Sequence, residues 1–168
     1  KIFDEESTQA IINFLSDINK ESSIARQFNI GKASEACLNS NDFAKFIDRR
    51  IFIFKNKSKD SIHLSEIYQR ILKKEINYFN QNTKPYLLSN KINEFICKKG
   101  KILTQSDMGI HNLIKSPKCY YFIDFEHAGW DSITKTLADI LLQPNHIKFP
   151  KEIINLLKIK NEYLKINE

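Results

Sequence analysis

The chain has 168 residues, 42% of them hydrophobic and 27% charged, with a formal net charge of +6. That length predicts one domain, or one large domain with tails, which buries about two-thirds of its unfolded surface and needs no disulfide or metal staple. The composition is that of a soluble globular protein, and no apolar run reaches the ~18 residues of a membrane span. The opening Lys1-Ile-Phe-Asp-Glu-Glu turns acidic at once, unlike a signal peptide. Cys37, Cys97 and Cys119 are odd in number and lack C-x-x-C spacing, so they read as reduced thiols of a cytoplasmic protein. The positive charge suits either an anionic partner such as a nucleotide or a Lys-rich solvated surface.

In chain order, Ser7 predicts the cap of a first helix, with Ile11, Phe14, Leu15 and Ile18 on one face. From Lys20 to Asn41 the pattern breaks into a loop with a short helical piece around Ser34 to Leu38. A second helix follows Asn41-Asp42, striped by Phe43, Phe46, Ile47, Ile51 and Phe54; such an aromatic stripe reads as core. After a polar turn, Lys55 to Ser61, a third helix runs from about His63 to Phe79 with Leu64, Ile67, Tyr68, Ile71, Leu72, Ile76 and Phe79 inward. Asn80 to Pro85 breaks it. A fourth helix spans Tyr86 to Cys97 and ends on Lys98-Lys99-Gly100, a basic last turn with a C′ glycine.

The β signal is confined to the stretch that follows. Ile102-Leu103 is a short strand, and Leu113-Ile114 and Tyr121 to Ile123 form a hairpin through Ser116-Pro117. Asp131 caps a helix holding Ile133, Leu137, Ile140 and Leu141, which ends before Pro144. A last helix runs from Pro150 to about Leu164. The predicted fold class is mainly α with a small β-hairpin, an α+β layout without a parallel sheet.

The chemistry concentrates between residues 103 and 131. Asp107 is followed by four residues and Asn112, and an apolar strand then delivers Asp124-Phe125-Glu126. A loop carboxylate, an amide and a carboxylate at a strand end are what phosphoryl transfer requires. One carboxylate orients the attacking hydroxyl, while the amide oxygen and the other carboxylate hold Mg²⁺ on nucleotide phosphates.

The D-x-x-x-x-N loop followed by Ile123-Asp-Phe-Glu126, then Ala128-Gly-Trp-Asp131 and Leu137-Ala-Asp139, resembles the aminoglycoside phosphotransferase and choline kinase-like family, which has a protein kinase-like fold. Ala33-Ser-Glu-Ala36 and its surroundings are similar too. The resemblance implies an ATP-dependent phosphotransferase acting on a hydroxyl of a small molecule such as a sugar, an amino alcohol or an aminoglycoside. Asp107 would be the catalytic base, Asn112 and Asp124 the metal ligands, and Asp139 a buried support accepting backbone N–H bonds from the catalytic loop. Glu126 either aids a second metal or contacts substrate, or is a surface turn carboxylate. The implied cofactors are Mg²⁺ and ATP or another nucleoside triphosphate. The chain would be this fold's carboxy-terminal lobe over residues 1–168, without the glycine-rich lobe, because Gly31, Gly100, Gly109 and Gly129 are isolated.

The sequence departs from the family pattern at Gln105, where many members carry His. His111 and His127 flank the motifs; His111 contacts substrate or makes a structural hydrogen bond, and Trp130 lines the acceptor pocket or packs. The competing reading is a non-catalytic kinase-like interaction module. A membrane partner is not expected. Nucleic acid is ranked low, because neither a concentrated basic stripe nor an aromatic platform motif is present.

Overall fold

The computed structural model describes residues 5–20 and 22–143. The helix expected from Pro150 to Leu164 lies outside them. The described chain is mainly helical with two small antiparallel sheets. Where length suggested one domain, it forms two compact units, one from residues 37–99 and one from the segments on either side.

In the flanking unit, α1 (Glu5–Lys20) buries Ile11, Ile12 and Leu15 against Met108, Ile110 and Ile140, while Phe14 stacks on Phe122 at 4.1 Å between ring centroids. The helix starts ahead of the expected Ser7 cap. Ser7 and Thr8 are buried within it, and Glu6 supplies negative charge in the first turn, which favours a helix start. Near its other end Asn19, itself buried, clamps a strand. Its Nδ2 donates to Leu15 O and Leu103 O, and its Oδ1 accepts Leu103 N–H at 2.7 Å. Next comes α2 (Ser22–Gln27), where a loop was expected. The helical piece placed around Ser34 to Leu38 is instead a turn, with Glu35 in the left-handed region at φ 60°, a conformation that cannot continue a right-handed helix.

Strand β1 (Lys101–Thr104) pairs with β4 (Gly129–Ser132), and β2 (Leu113–Lys115) with β3 (Tyr120–Phe122), both antiparallel. The β2–β3 hairpin is the expected one, its turn held by Ser116 Oγ accepting the Lys118 and Cys119 N–H groups. Strand β4 extends the β structure beyond the expected limit at Ile123. It packs against residues 31–33, with Trp130 N–H on Gly31 O and Ala33 N–H on Trp130 O, each 3.0 Å. A Cβ on Gly129 would sit 2.5 Å from Ala33 N and 2.6 Å from Gly31 O, so only glycine admits this approach. Helix α8 (Ile133–Leu141) is capped by Ser132, whose Oγ accepts Lys135 N–H, and not by Asp131, which belongs to β4.

The second unit is helical throughout. Helix α3 (Ser40–Lys57) is capped by Asn39, whose side chain accepts Asp42 N–H. The expected break at residues 80–85 is absent. Helices α4 (Ile62–Ile67), α5 (Lys73–Tyr78) and α6 (Lys84–Leu87) are joined by π turns at Tyr68–Leu72 and Phe79–Thr83 into one run over 62–87. The second π turn, closed by Lys84 N–H on Phe79 O, widens the helix just ahead of Pro85. A proline ring there would otherwise press on the carbonyl four residues back.

The inward stripe also differs from the expected one. Leu64, Tyr68, Leu72, Ile76 and Phe79 are half-buried, whereas Ile67 and Ile71, expected inside, are exposed. The chain turns at Leu88-Ser89 into α7 (Asn90–Lys99), which starts later than expected and ends at Gly100, φ 82°, the anticipated C′ glycine. Cys37 is buried and Cys97 and Cys119 are exposed; none of the three forms a disulfide.

Candidate active site

The loop from Gln105 to Asn112 joins β1 to β2, and its conformation follows from a few local bonds. Thr104 Oγ1 accepts Ser106 N–H, and Ser106 sits at φ 75°, with its Oγ donating to Ser34 O at 3.1 Å. Ser34 N–H in turn donates to His127 O. Met108 and Ile110 insert into the core beside α1, which fixes the loop from below and leaves the alternate side chains, Asp107 and His111, toward solvent.

Asp107 is half-exposed. Its Oδ1 accepts Gly109 N–H at 3.2 Å, and its Oδ2 lies 3.0 Å from His111 Nε2. This is the hydrogen-bonding option for His111, and it makes the imidazole a direct partner of the candidate base. A Cβ on Gly109 would collide with the His111 ring at 2.2 Å, so the glycine makes room for this pair.

Asn112 is buried. Its Nδ2 donates to Asp107 O at 3.1 Å, and its backbone carbonyl accepts Ile123 N–H at 3.1 Å. The loop is thereby bonded to the residue that precedes Asp124. Asp124 stands at φ 66°, which turns the chain out of β3 and leaves its carboxylate exposed. Gln105, 1% exposed, completes the link: its Nε2 donates to Ile123 O and, at 3.3 Å, to Asp124 O. Asp107, Asn112 and Asp124 are therefore held in one bonded framework. Glu126 is not drawn into it by any described bond; it is exposed, with its carboxylate 3.3 Å from His127 Nε2.

Asp139 is placed differently from the expectation. Among the described residues its hydrogen-bond partner is Lys135 Nζ at 2.5 Å, one turn back on α8, and not an amide of the catalytic loop. Burial pushes its carboxyl above the ordinary value. The Lys135 ammonium opposes this, and the charges of Asp107 and Glu35 add to it. The fully buried aspartate is Asp131, 1% exposed, whose Oδ1 accepts Ser132 N–H at 2.7 Å.

Sequence reasoning missed the roles of Gln105 and Asp131. Gln105 departs from the pattern of the family that the sequence resembles, which marked the position. Asp131 was marked by lying inside the Ala128-Gly-Trp-Asp segment.

Asn112 and Asp124 carry the kind of oxygen donor that a hard divalent cation takes. With Asn112 Nδ2 committed to Asp107 O, its Oδ1 is the amide's open acceptor, and Asp124 adds an exposed carboxylate. Among the described residues no cluster of three or more His, Cys, Asp or Glu side chains could hold a metal ion. Two oxygen donors from the chain suit an ion that completes its shell with phosphates and water. A separate open cleft of about 660 Å³ lies against α1 and the β2–β3 hairpin, lined by Gln9, Asn13, Lys115, Cys119 and Tyr120 among others; none of the candidate site residues lines it. There the Cys119 thiol is shifted down by a hydrogen bond from Tyr121 and then by Ser116. Comparison with protein-family models, curated proteins and solved structures finds no match to the chain.

Proposed function

We propose that this chain carries the catalytic and metal-binding loops of an ATP-dependent phosphotransferase that phosphorylates a hydroxyl of a small molecule, in a kinase-like arrangement. One observation carries the reading: Asp107, Asn112 and Asp124 are tied together through Asn112 Nδ2 on Asp107 O, Ile123 N–H on Asn112 O, and Gln105 on the Ile123 and Asp124 carbonyls. A base and two oxygen ligands are thereby held on a backbone bonded at three points. Such positioning is most of what phosphoryl transfer asks of a protein.

In this reading Asp107 accepts the hydrogen bond of the acceptor hydroxyl. As that oxygen bonds to the γ-phosphorus, its proton passes to the Asp107 carboxylate, and the bond to the departing ADP oxygen breaks. His111 and Gly109 N–H fix the carboxylate rotamer. Asn112 Oδ1 and Asp124 would hold Mg²⁺, which when bound supplies positive charge against the nucleotide phosphates.

The test is transfer of labelled γ-phosphate from ATP to a panel of sugars, amino alcohols and aminoglycosides by the native full-length protein. We expect label on at least one acceptor with the parent and almost none with Asp107→Asn. Equal labelling by both proteins would refute the role of Asp107.

A further inference from the structure

The charge of this chain is not spread evenly. Residues 37–99 hold 13 of the 26 basic and 6 of the 20 acidic side chains, a net +7, so the remainder is at −1. Twelve of those 13 basic residues are exposed. The same unit leaves large apolar side chains in water. On the helical run over 62–87, Ile67, Ile71 and Tyr78 are 43%, 59% and 62% exposed. Ile67 and Ile71 lie one turn apart and Tyr78 follows further along the same helical run, with exposed Arg70, Lys73 and Lys74 among them. On α3, Phe52 is 65% exposed, one turn from Arg49 and two from Lys45. An apolar ridge flanked by lysines is the pattern of a helix that lies in a lipid interface, its apolar side chains entering the acyl boundary and its ammonium groups meeting anionic headgroups.

We propose that the helical unit docks peripherally on an anionic phospholipid surface through this ridge. Charge decides among occupants. A second copy would bring +7 against +7. A protein interface core is depleted of the lysine that dominates here, ten against three arginines. Single-stranded nucleic acid stacks on aromatic rings, which leaves the exposed isoleucines unused. Among the described residues no helix is long and apolar enough to cross a membrane. The proposal departs from the expectation of no membrane partner, and it rests on residues 37–99 alone, independently of the phosphotransfer reading.

Flotation of the whole protein with vesicles of phosphatidylglycerol and phosphatidylcholine in equal parts tests it, with phosphatidylcholine vesicles as the control. We expect binding to the mixed vesicles only, weakened by salt. The double variant Ile67→Asn with Ile71→Asn, both at exposed positions, should weaken binding ~tenfold at unchanged circular dichroism. Lys73→Glu with Lys74→Glu should weaken it too. Failure to bind the anionic vesicles overturns the proposal, as does parental binding by the isoleucine double variant. Capture of a single-stranded oligonucleotide without any vesicle binding would reassign the surface to nucleic acid.

Discussion

The two units of this chain are built on opposite principles. The flanking unit holds hydrogen-bonded polar side chains inside: Asn19, Asn112 and Ser132 are buried and bonded, and Gln105 is buried with its Nε2 bonded and its Oε1 without a partner. The helical unit buries only five of its residues, Cys37, Ser40, Ala44, Ser58 and Ile96, and presents cations and apolar side chains to solvent. Buried hydrogen-bonded side chains specify one geometry, because each unpaired donor or acceptor would cost about 1–3 kcal/mol. A site that must position a base and a metal ligand needs that rigidity, whereas a docking surface does not. On the two readings proposed above, chemistry and surface recognition fall to separate parts of one chain.

The largest expected effect sharpens this division within the site itself. In the native full-length protein, Asp107→Asn should lower kcat by about two to four orders of magnitude, the range for positioned acid–base groups, while nucleotide affinity holds within a few fold. Asp124→Asn should instead weaken Mg²⁺-dependent nucleotide binding as well as turnover, with part of the loss recovered at high Mg²⁺. Steady-state kinetics against Mg²⁺ concentration separates the two patterns.

Next in size is Gly129→Ala, which drives a Cβ into the backbone of residues 31–33. It should cost about 1–3 kcal/mol of stability by chemical denaturation, as overpacking does. Gly31→Ala, with nothing within 4 Å of the added Cβ, serves as the near-neutral control.

A pH-dependent effect follows. Asp139 already has a raised pKa, so burial of its charge disfavours the folded state as pH rises from the ordinary carboxylate value of about 3.8 through the raised folded value. Lys135→Met removes the ammonium that opposes the shift, and should raise the folded pKa further. The variant's stability relative to the parent should therefore be highest at acid pH and fall as pH climbs through that window. Thermal unfolding at several pH values between 3 and about 7 reads this directly; a pH-independent difference would contradict the buried pairing.

The smallest effect is Gly109→Ala. The backbone there tolerates alanine, but its Cβ displaces His111 from Asp107. A loss of about threefold to tenfold in kcat is expected if His111 orients the base, within the scale of a single positioning hydrogen bond.

The linear motifs were legible in the sequence, because Asp107, Asn112 and Asp124 signal through short spacings and an apolar strand. So were α1, α3, β1 and the β2–β3 hairpin, whose periodicity or turn residues are local. What escaped depends on distance or on a small phase change. Gln105 acts on carbonyls 18 and 19 residues away. Strand β4 has too little alternation to announce itself and exists by pairing with β1 and residues 31–33. The π turns admit an extra residue, which carries Pro85 through the helix and shifts the phase of every residue after it; a fixed helical period cannot register this. Asp139 and Asp131 lie eight residues apart in one motif-bearing segment, and only the fold tells which is paired to Lys135 and which is fully buried.

The central claim is that Asn112 and Asp124 hold a divalent cation beside nucleotide phosphates while Asp107 faces the acceptor. The most direct test replaces Mg²⁺ with paramagnetic Mn²⁺ in the ATP complex of the native full-length protein and records amide and side-chain NMR signals. The account predicts that ATP-dependent broadening is strongest at the Asn112 side chain and the Ile123 and Asp124 amides, and is lost in Asp124→Asn. Broadening centred on Glu126 and His127, with Asn112 untouched, would contradict it.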